Sequence, residues 1–447
     1  MKYILILLIL LISSKSQSQQ ISKIGNGVNP IAVHSYAWND SIIIRGNFNS
    51  LPDNTPSEGM AYWNGTIWKD LSLNTYSDGR VFIDYQGSLL MGGSLTMKSN
   101  FTTLPLLKLN GKTWENVYGV TSANSMGSIN DMIVYKNELY VAGKLQRIGG
   151  TYVNNIAKWD GVSWSNVAGG CGAGVNEVSS LAILNNELYV AGFFSNAGNT
   201  TANQIAKWDG TTWSTLDSGV HQGGVSKIIV YKNDLVVIGG FTKAGSYNNL
   251  SNVYRGRAYW DGTSWNKLSG FAEIAYEYTF QVYRGELFMG TYMNSKTHTI
   301  NDTVMMSWDG SNYTKRLGAD AEIIDVSIVN DKLIIIGDFD NILNKPISKI
   351  ASYYLDPVGI KQTNKKGSVF KVYPNPSNSY ITISTSSNYK NVKIIIRNEM
   401  MEIQKDLQED FAKNDCSISI GDLRSGLYFI QFYVDDNLVD TQKYLVN

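Results

Sequence analysis

An all-β chain built from one radially repeated unit is what this sequence predicts, and three observations carry the prediction. The chain holds 41 glycines, 27 tyrosines and 11 tryptophans but only 8 prolines, a composition suited to many short strands and tight turns. A tryptophan-flanked hairpin returns six times at a spacing of about 49 residues. A second hairpin, ending on glycine, precedes each of those copies.

Taken in order, the first element is a targeting signal over residues 1–18. Lys2 gives a positive start, residues 3–12 form an unbroken apolar run, and Ser16-Gln17-Ser18 offers a cleavage site before Gln19. So short a run suits a signal-peptide core; a bilayer span needs about 20 residues. No cysteine lies nearby, so no lipid anchor is expected, and no other segment is long and apolar enough to be a transmembrane span. Lysine plus arginine number 38, as do aspartate plus glutamate; a chain without net charge is not built to hold nucleic acid or an anionic membrane. Cys171 and Cys416 fall in different domains, so they read as small buried residues, not as a disulfide.

Residues 19–356 carry the repeat. The tryptophan hairpin runs from Trp63-Asn64-Gly65 to Trp68, Leu109-Asn110-Gly111 to Trp114, Trp159-Asp160-Gly161 to Trp164, Trp208-Asp209-Gly210 to Trp213, Trp260-Asp261-Gly262 to Trp265 and Trp308-Asp309-Gly310 to Tyr313. Asn-Gly and Asp-Gly predict two-residue type I′ turns, whose central residues both need positive φ. The glycine-ended hairpin closes at Gly46, Gly93, Gly143, Gly192, Gly239 and Gly337, and one position early at Gly290. Two hairpins per repeat make four strands, and four-stranded units arranged radially make a β-propeller. Seven first hairpins against six second ones leave the last unit one strand short. Residues 21–28 resemble the outer strand and exit of a repeat, so the N-terminal strand is expected to complete the seventh blade and close the ring. The expected fold class is therefore a seven-bladed β-propeller followed by a second, smaller β domain.

The glycine after the second strand and the aromatic pair across the third and fourth strands resemble the kelch and galactose-oxidase type of propeller. The chain departs from kelch in usually having one glycine, although Gly92-Gly93 and Gly239-Gly240 are doublets. The resemblance implies a fold and no particular chemistry.

Strand alternation places the tight turns on one face and the long connections, residues 145–155, 194–204 and 241–257 among them, on the other. Binding residues favour loops on a rigid scaffold, so ligand contacts are expected from Arg147, Tyr152, His221, Tyr247, Tyr254, Arg255 and His298, types suited to stacking and to bidentate hydrogen bonds. The repeated tryptophans are expected to pack between blades, and Asp160, Asp209, Asp261 and Asp309 to be turn residues, not calcium ligands. No zinc-binding His-Glu-x-x-His, no Gly-x-Ser-x-Gly and no phosphate loop is present. No catalytic residue, metal or cofactor is therefore assigned.

A polar linker over 357–368 leads to a final domain over 369–447, whose strands at 380–384, 392–397 and 427–434 suggest a small Ig-like β-sandwich. Three of its segments resemble the type A sorting domain of the type IX secretion system: Tyr373-Pro374-Asn375-Pro376 with the strand before it, Gly426-Leu427-Tyr428, and Lys443 in the last strand. The resemblance implies handling by the type IX secretion machinery, with Tyr373, Pro374, Asn375, Pro376, Gly426, Tyr428 and Lys443 as sorting residues. It also implies a product that is secreted or held on the outer cell surface. The reading that follows is a monomeric surface or secreted binding protein taking a glycan or protein ligand. An extracellular carbohydrate-active enzyme and a structural component of a surface layer or gliding apparatus stand as alternatives.

Overall fold

The computed structural model describes residues 19–25, 31–38, 41–76, 78–121, 123–172, 176–246, 254, 256–268, 275–293, 303–355, 370–373, 379–385, 389, 391–398, 403–409, 411, 415–423, 426–434 and 437–446. The expected signal peptide, linker, Pro374, Asn375 and Pro376 lie outside them. Among the described residues every regular element is a β-strand. The chain divides into two compact units, residues 20–354 and a C-terminal unit from residue 355 onward.

The larger unit is a β-propeller of antiparallel sheets that share four strands in one order, some with short added strands. The third sheet is typical: Met126–Tyr135, Glu138–Ile148, Ile156–Trp159 and Trp164–Asn166 pair in chain order. Among the described residues such sheets follow one another with first strands Ile31–Trp38, Gly79–Tyr85, Met126–Tyr135, Glu177–Leu184, Val225–Tyr231, Ala275–Tyr283 and Ile323–Val329. Each first strand packs against the next, and Ile323–Val329 packs back against Ile31–Trp38, so the ring is closed. The outer strand of the seventh sheet is Gln19–Lys23, paired with Ile350–Leu355. Apolar clusters lie between neighbouring sheets, as where Tyr135 and Tyr140 meet Leu181, Leu188 and Trp208.

Every first strand carries a β-bulge near its start, at Val33, Arg80, Asn130, Ser179, Ser226, Tyr278 and Ile324. The recurrent glycine of the second strand sits opposite it. A Cβ on Gly143 would lie 2.1 Å from the Ser128 carbonyl oxygen, and on Gly192 2.3 Å from that of Glu177. The glycine is needed because the bulged backbone comes too close for any side chain.

The bulge aims the next residue sideways at the neighbouring sheet. Asp131 accepts from Leu181 N–H (2.8 Å), Ser180 from Ile228 N–H (3.3 Å), Thr279 from Val326 N–H (3.2 Å) and Asp325 from Ser35 N–H (2.8 Å). A second row of bonds ties the turns. Tyr135, Tyr231 and Tyr283 donate to the carbonyls of Asn186, Gly285 and Asp331 in the next sheet. A third row runs around the rim, where the indole N–H groups of Trp114, Trp164, Trp213 and Trp265 donate to Leu71, Tyr118, Val167 and Leu216 of the preceding sheet. The tryptophans therefore pack between sheets, as their spacing implied.

The turn chemistry differs from the expectation. Asp160, Asp209, Asp261 and Asp309 do not enter the left-handed region, and only the following glycine does. Trp159 pairs with Trp164 across a four-residue loop in which Asp160 Oδ1 accepts from Val162 and Ser163 N–H, both at 2.8 Å. Self-capping by the aspartate replaces the type I′ turn. The two successive positive-φ residues of that turn occur instead in the first hairpins, at Lys136-Asn137, Asn185-Asn186, Lys232-Asn233 and Asn330-Asp331.

The C-terminal unit is a β-sandwich. Phe370–Tyr373, Tyr380–Thr385 and Asp415–Ser419 form one sheet; Ile403–Glu409, Val392–Asn398, Gly426–Val434 and Asn437–Val446 form the other. Phe370 stacks on Phe432 at 4.4 Å within a core that includes Ile381, Ile383, Ile394 and Tyr444. Cys171 is buried as expected; Cys416 is only partly so.

Two predictions follow from the inter-sheet bonds. Trp213→Phe keeps the buried ring but strands the Val167 carbonyl, and should cost about 1–2 kcal/mol in urea unfolding of the ring. Burial drives the Asp131 carboxyl up to about 6 against the pull of Leu181 and Met132 N–H. A carboxyl raised in the folded state stabilises most when protonated, and that contribution fades as pH climbs through about 6. Wild type should therefore lose on the order of 2–3 kcal/mol relative to Asp131→Asn between pH 4 and pH 7, and a gap independent of pH would refute the assignment.

Candidate functional site

Two features of the ring present chemistry on one face. Strands alternate in direction, so the connections between second and third strands, and the crossings to the next sheet, emerge together. These loops are hydrogen-bonded across sheet boundaries. In the crossing after the third sheet, Cys171 N–H donates to Asn154 O (2.7 Å) and Cys171 O accepts from Asn155 Nδ2 (2.9 Å). The crossing then gives Gly172 N–H to Asn196 O (2.8 Å) and accepts Gly198 N–H on Gly170 O (2.7 Å). Val220 N–H on Asn203 O and Gly245 N–H on Gly219 O repeat the pattern one sheet on. The face is thus preorganised. Cys171 lies beneath it, and burial pushes its thiol far up, so it is a packing residue with no reactive thiolate.

Of the residues expected to bind, Arg147 and Tyr152 are brought together. They are opposed in register, the guanidinium lies 5.7 Å from the ring centroid, and Arg147 is pinned by a 2.9 Å bond to Ala123 O. Tyr152 is 76% exposed, a large aromatic surface held out from the loop. His221 sits on a neighbouring crossing, half-buried, paired in register with Lys243. Tyr254 is different: it is buried, and its hydroxyl donates to Trp265 O at 3.0 Å, a use in holding the loop to the rim. Tyr247, Arg255 and His298 lie outside the described residues.

The second feature is the channel along the ring axis. The residue after each bulge occupies one layer of it: His34, Val81, Asp131, Ser180, Lys227, Thr279 and Asp325. First strands begin on the long-loop face, so this layer lies just inside that mouth. Asp325 also accepts from Thr279 Oγ1 at 3.0 Å, and lies 4.0 Å from His34 Nδ1. The His34 imidazole touches channel solvent yet is enclosed by protein, and that enclosure lowers its pKa; Asp325 opposes the shift while Arg45 and Lys227 reinforce it. Lys227, paired in the ladder with Ile238, acts on both His34 and Asp131, and its side chain makes no hydrogen bond or ion pair among the described residues. At the rim of the mouth, Asp78 joins Arg45 (2.7 Å) and Arg80 (3.3 Å), and Arg80 reaches Asn130 (2.7 Å).

Ser180 and Thr279 are buried and bonded to the next sheet, so the imidazole of His34 and the ammonium of Lys227 are the groups of this layer left for a polar ligand. Among the described residues no group of three or more His, Cys, Asp or Glu side chains is placed to hold a metal ion. Reading the sequence motif by motif passes over this layer. The signal that locates it is a polar residue just ahead of the alternating apolar run in nearly every first strand, as in Asn130-Asp131-Met132 and Ser226-Lys227-Ile228.

In the C-terminal unit, two of the expected sorting segments are direct strand partners, with Gly426 opposite Val446, Tyr428 opposite Tyr444, and Lys443 opposite Phe429. Tyr373 lies in the other sheet, opposite Thr382.

None of the curated proteins compared matches the chain. Among solved structures it is similar to PorZ, a bacterial surface component of the type IX secretion system of Porphyromonas gingivalis, at 12% identity and a TM-score of 0.35, over 93% of this chain and 65% of that one. It is also similar to a fungal alcohol oxidase of the AA5 family in complex with copper (11% identity, TM-score 0.42, 97% and 99% covered). A third is the GH74 enzyme of Niastella koreensis (11%, 0.43, 95% and 73%). The chain thus spans 65% of the length of the first of these, and at such identities none of them speaks to activity. Residues 371–447 match the family model described as a secretion system C-terminal sorting domain. The chain therefore ends in a type IX sorting domain, and the protein is secreted or held on the outer surface.

Proposed function

We propose that this is a binding protein of the cell exterior, a kelch-like seven-bladed propeller that recognises glycan or protein through its long-loop face. What supports the reading is the hydrogen-bonded loop rim around a polar channel mouth. A surface ordered before the ligand arrives spends less of its contact energy on ordering, and Tyr152 over Arg147 offers it an exposed aromatic anchor. Tyr247 and Arg255 belong to the longest of these connections and are proposed as further contacts. The type IX sorting domain supplies the route outward and has no part in recognition.

A second reading has its own observation. Asp131, raised to about 6, shares the channel layer with Asp325, whose carboxylate is held by N–H and hydroxyl donors. Glycoside cleavage needs one carboxyl with a raised pKa and a second carboxylate, and Asp131 is a carboxyl of this layer that burial drives up. Turnover of a bound glycan, lost in Asp131→Asn and in Asp325→Asn, would decide for an extracellular carbohydrate-active enzyme.

The mature chain should bind saturably on a glycan array, and Tyr152→Ala, Tyr247→Ala and Arg255→Ala should each weaken binding by about tenfold or more if they act as anchors. Silence across the array would send the search to protein partners. Deleting residues 369–447 should leave the propeller folded but retained within the cell envelope, read as its disappearance from culture medium and cell surface and its recovery in the periplasmic fraction.

A further inference from the structure

We propose a second ligand site, outside the long-loop reading, on the outer edge where the ring closes: a cleft between the first sheet and the N-terminal strand that takes a sugar ring. The row of indole bonds around the rim breaks at this boundary. At four boundaries the outer tryptophan donates its indole N–H to the exit of the preceding sheet, at 2.8–3.1 Å. Trp68 holds the same place in the first sheet, and the sheet before it is the seventh, closed by Gln19–Lys23. Its Nε1 is shielded from solvent and has no hydrogen-bond partner among the described residues.

Trp159 and Trp308 also carry buried indole nitrogens without a partner among the described residues, but Trp68 borders a cavity. That cavity has a volume of about 490 Å3 and is walled by Trp63, Trp68, Ile67 and Pro52, with Lys23 and Asp53 on its rim. This is within the range of small-molecule sites. Ile67 is 53% exposed there, an apolar side chain with nothing over it. Gly25 passes the indoles so closely that a Cβ would stand 2.9 Å from Trp68 Nε1 and 3.0 Å from the Trp63 ring. A side chain at that position would crowd the mouth, and glycine leaves it open.

The wall chemistry selects the occupant. Two indoles 5.3 Å apart and tilted by 50° give apolar faces, the orphaned N–H requires an acceptor, and the rim offers one ammonium and one carboxylate pinned by Thr55 N–H at 3.0 Å. A ligand with an apolar face, a ring oxygen to accept the indole proton and hydroxyls for Lys23 and Asp53 meets all of these together, and a pyranose is such a ligand. An aliphatic chain would leave the N–H unmet, and a small anion would leave the aromatic walls unused.

The test uses the mature chain labelled with 15N and titrated with methyl glycosides of mannose, galactose, glucose and N-acetylglucosamine, following the Trp68 Nε1–H resonance. One of these is expected to shift that resonance saturably. Trp68→Phe, which keeps the ring and removes the donor, should weaken binding about tenfold. Lys23→Ala and Asp53→Ala, both exposed and outside the ring's core, should weaken it several-fold without changing the melting temperature. Arg147→Ala and Tyr152→Ala should leave it unchanged. If no glycoside moves the Trp68 signal, or if a proline-rich peptide moves it and the sugars do not, the proposal is wrong. If sugar binding is lost in the Arg147 and Tyr152 variants but survives those at Lys23, Asp53 and Trp68, the cleft is empty of function while the long-loop reading stands.

Discussion

Each first strand lies at an edge of its sheet. Its outward side is paired with the second strand, while its inward side faces the axis and presents N–H groups that no ladder satisfies. Closing the ring brings these edges together without letting them pair. The bulge meets this constraint by turning the following side chain toward the next strand, where Asp131, Ser180, Thr279 and Asp325 each accept the stranded N–H of a neighbour. The bulge in turn brings two backbones so close that the second strand must carry glycine, as Gly143 shows against Ser128. Glycine, bulge and acceptor are one device.

Where the device lacks its acceptor, the channel gains chemistry. Val81 and Lys227 cannot accept a hydrogen bond, and the imidazole of His34 has its Nδ1 beside Asp325. Met132 N–H, opposite Val81, is capped instead by the carboxylate of its own neighbour Asp131, at 2.8 Å. Lys227 is thereby released from structural duty and directs its charge across the channel at His34 and Asp131. Sheets that keep the acceptor hold the ring; sheets that lose it supply the groups a ligand can meet. The same division holds at the rim, where the indole N–H groups of Trp114, Trp164, Trp213 and Trp265 are tied to a neighbour and that of Trp68 has no partner among the described residues.

What was legible in the sequence follows from what repeats. The hairpins and the closing strand could be read because inter-sheet packing demands the same aromatic at the same place in every unit, and a spacing survives where individual residues vary. The Asp-Gly turns were misread because the dipeptide signals a turn without fixing its type. The loop between Trp159 and Trp164 is long enough for Asp160 to cap its own backbone, and two-residue geometry fell to Lys136-Asn137, a pair with no strong signature. Tyr254 looked like a loop-surface residue, yet its ring is buried and its hydroxyl is committed to Trp265. The channel layer stayed hidden because its members differ chemically from sheet to sheet. Only their common register beside the bulge unites them.

Ring closure is the least local event in the fold. Ser22 and Ser352 meet across 330 residues and Ser35 reaches Asp325 across 290, whereas the hairpin bonds within each sheet span a few residues. The entropy of joining distant ends grows only logarithmically with separation, so the long span adds little beyond that of a loop half its length. What the span does impose is order. Until residues 19–23 lie against Ile350–Leu355, the seventh sheet keeps an unpaired edge and the cleft at Trp68 has only one wall. The packing of the first sheets does not need the last strand, but the closure site needs both ends of the chain. The boundary where the N-terminal strand stands in for a repeat lacks the indole bond that ties four others, and a cavity lies beside it.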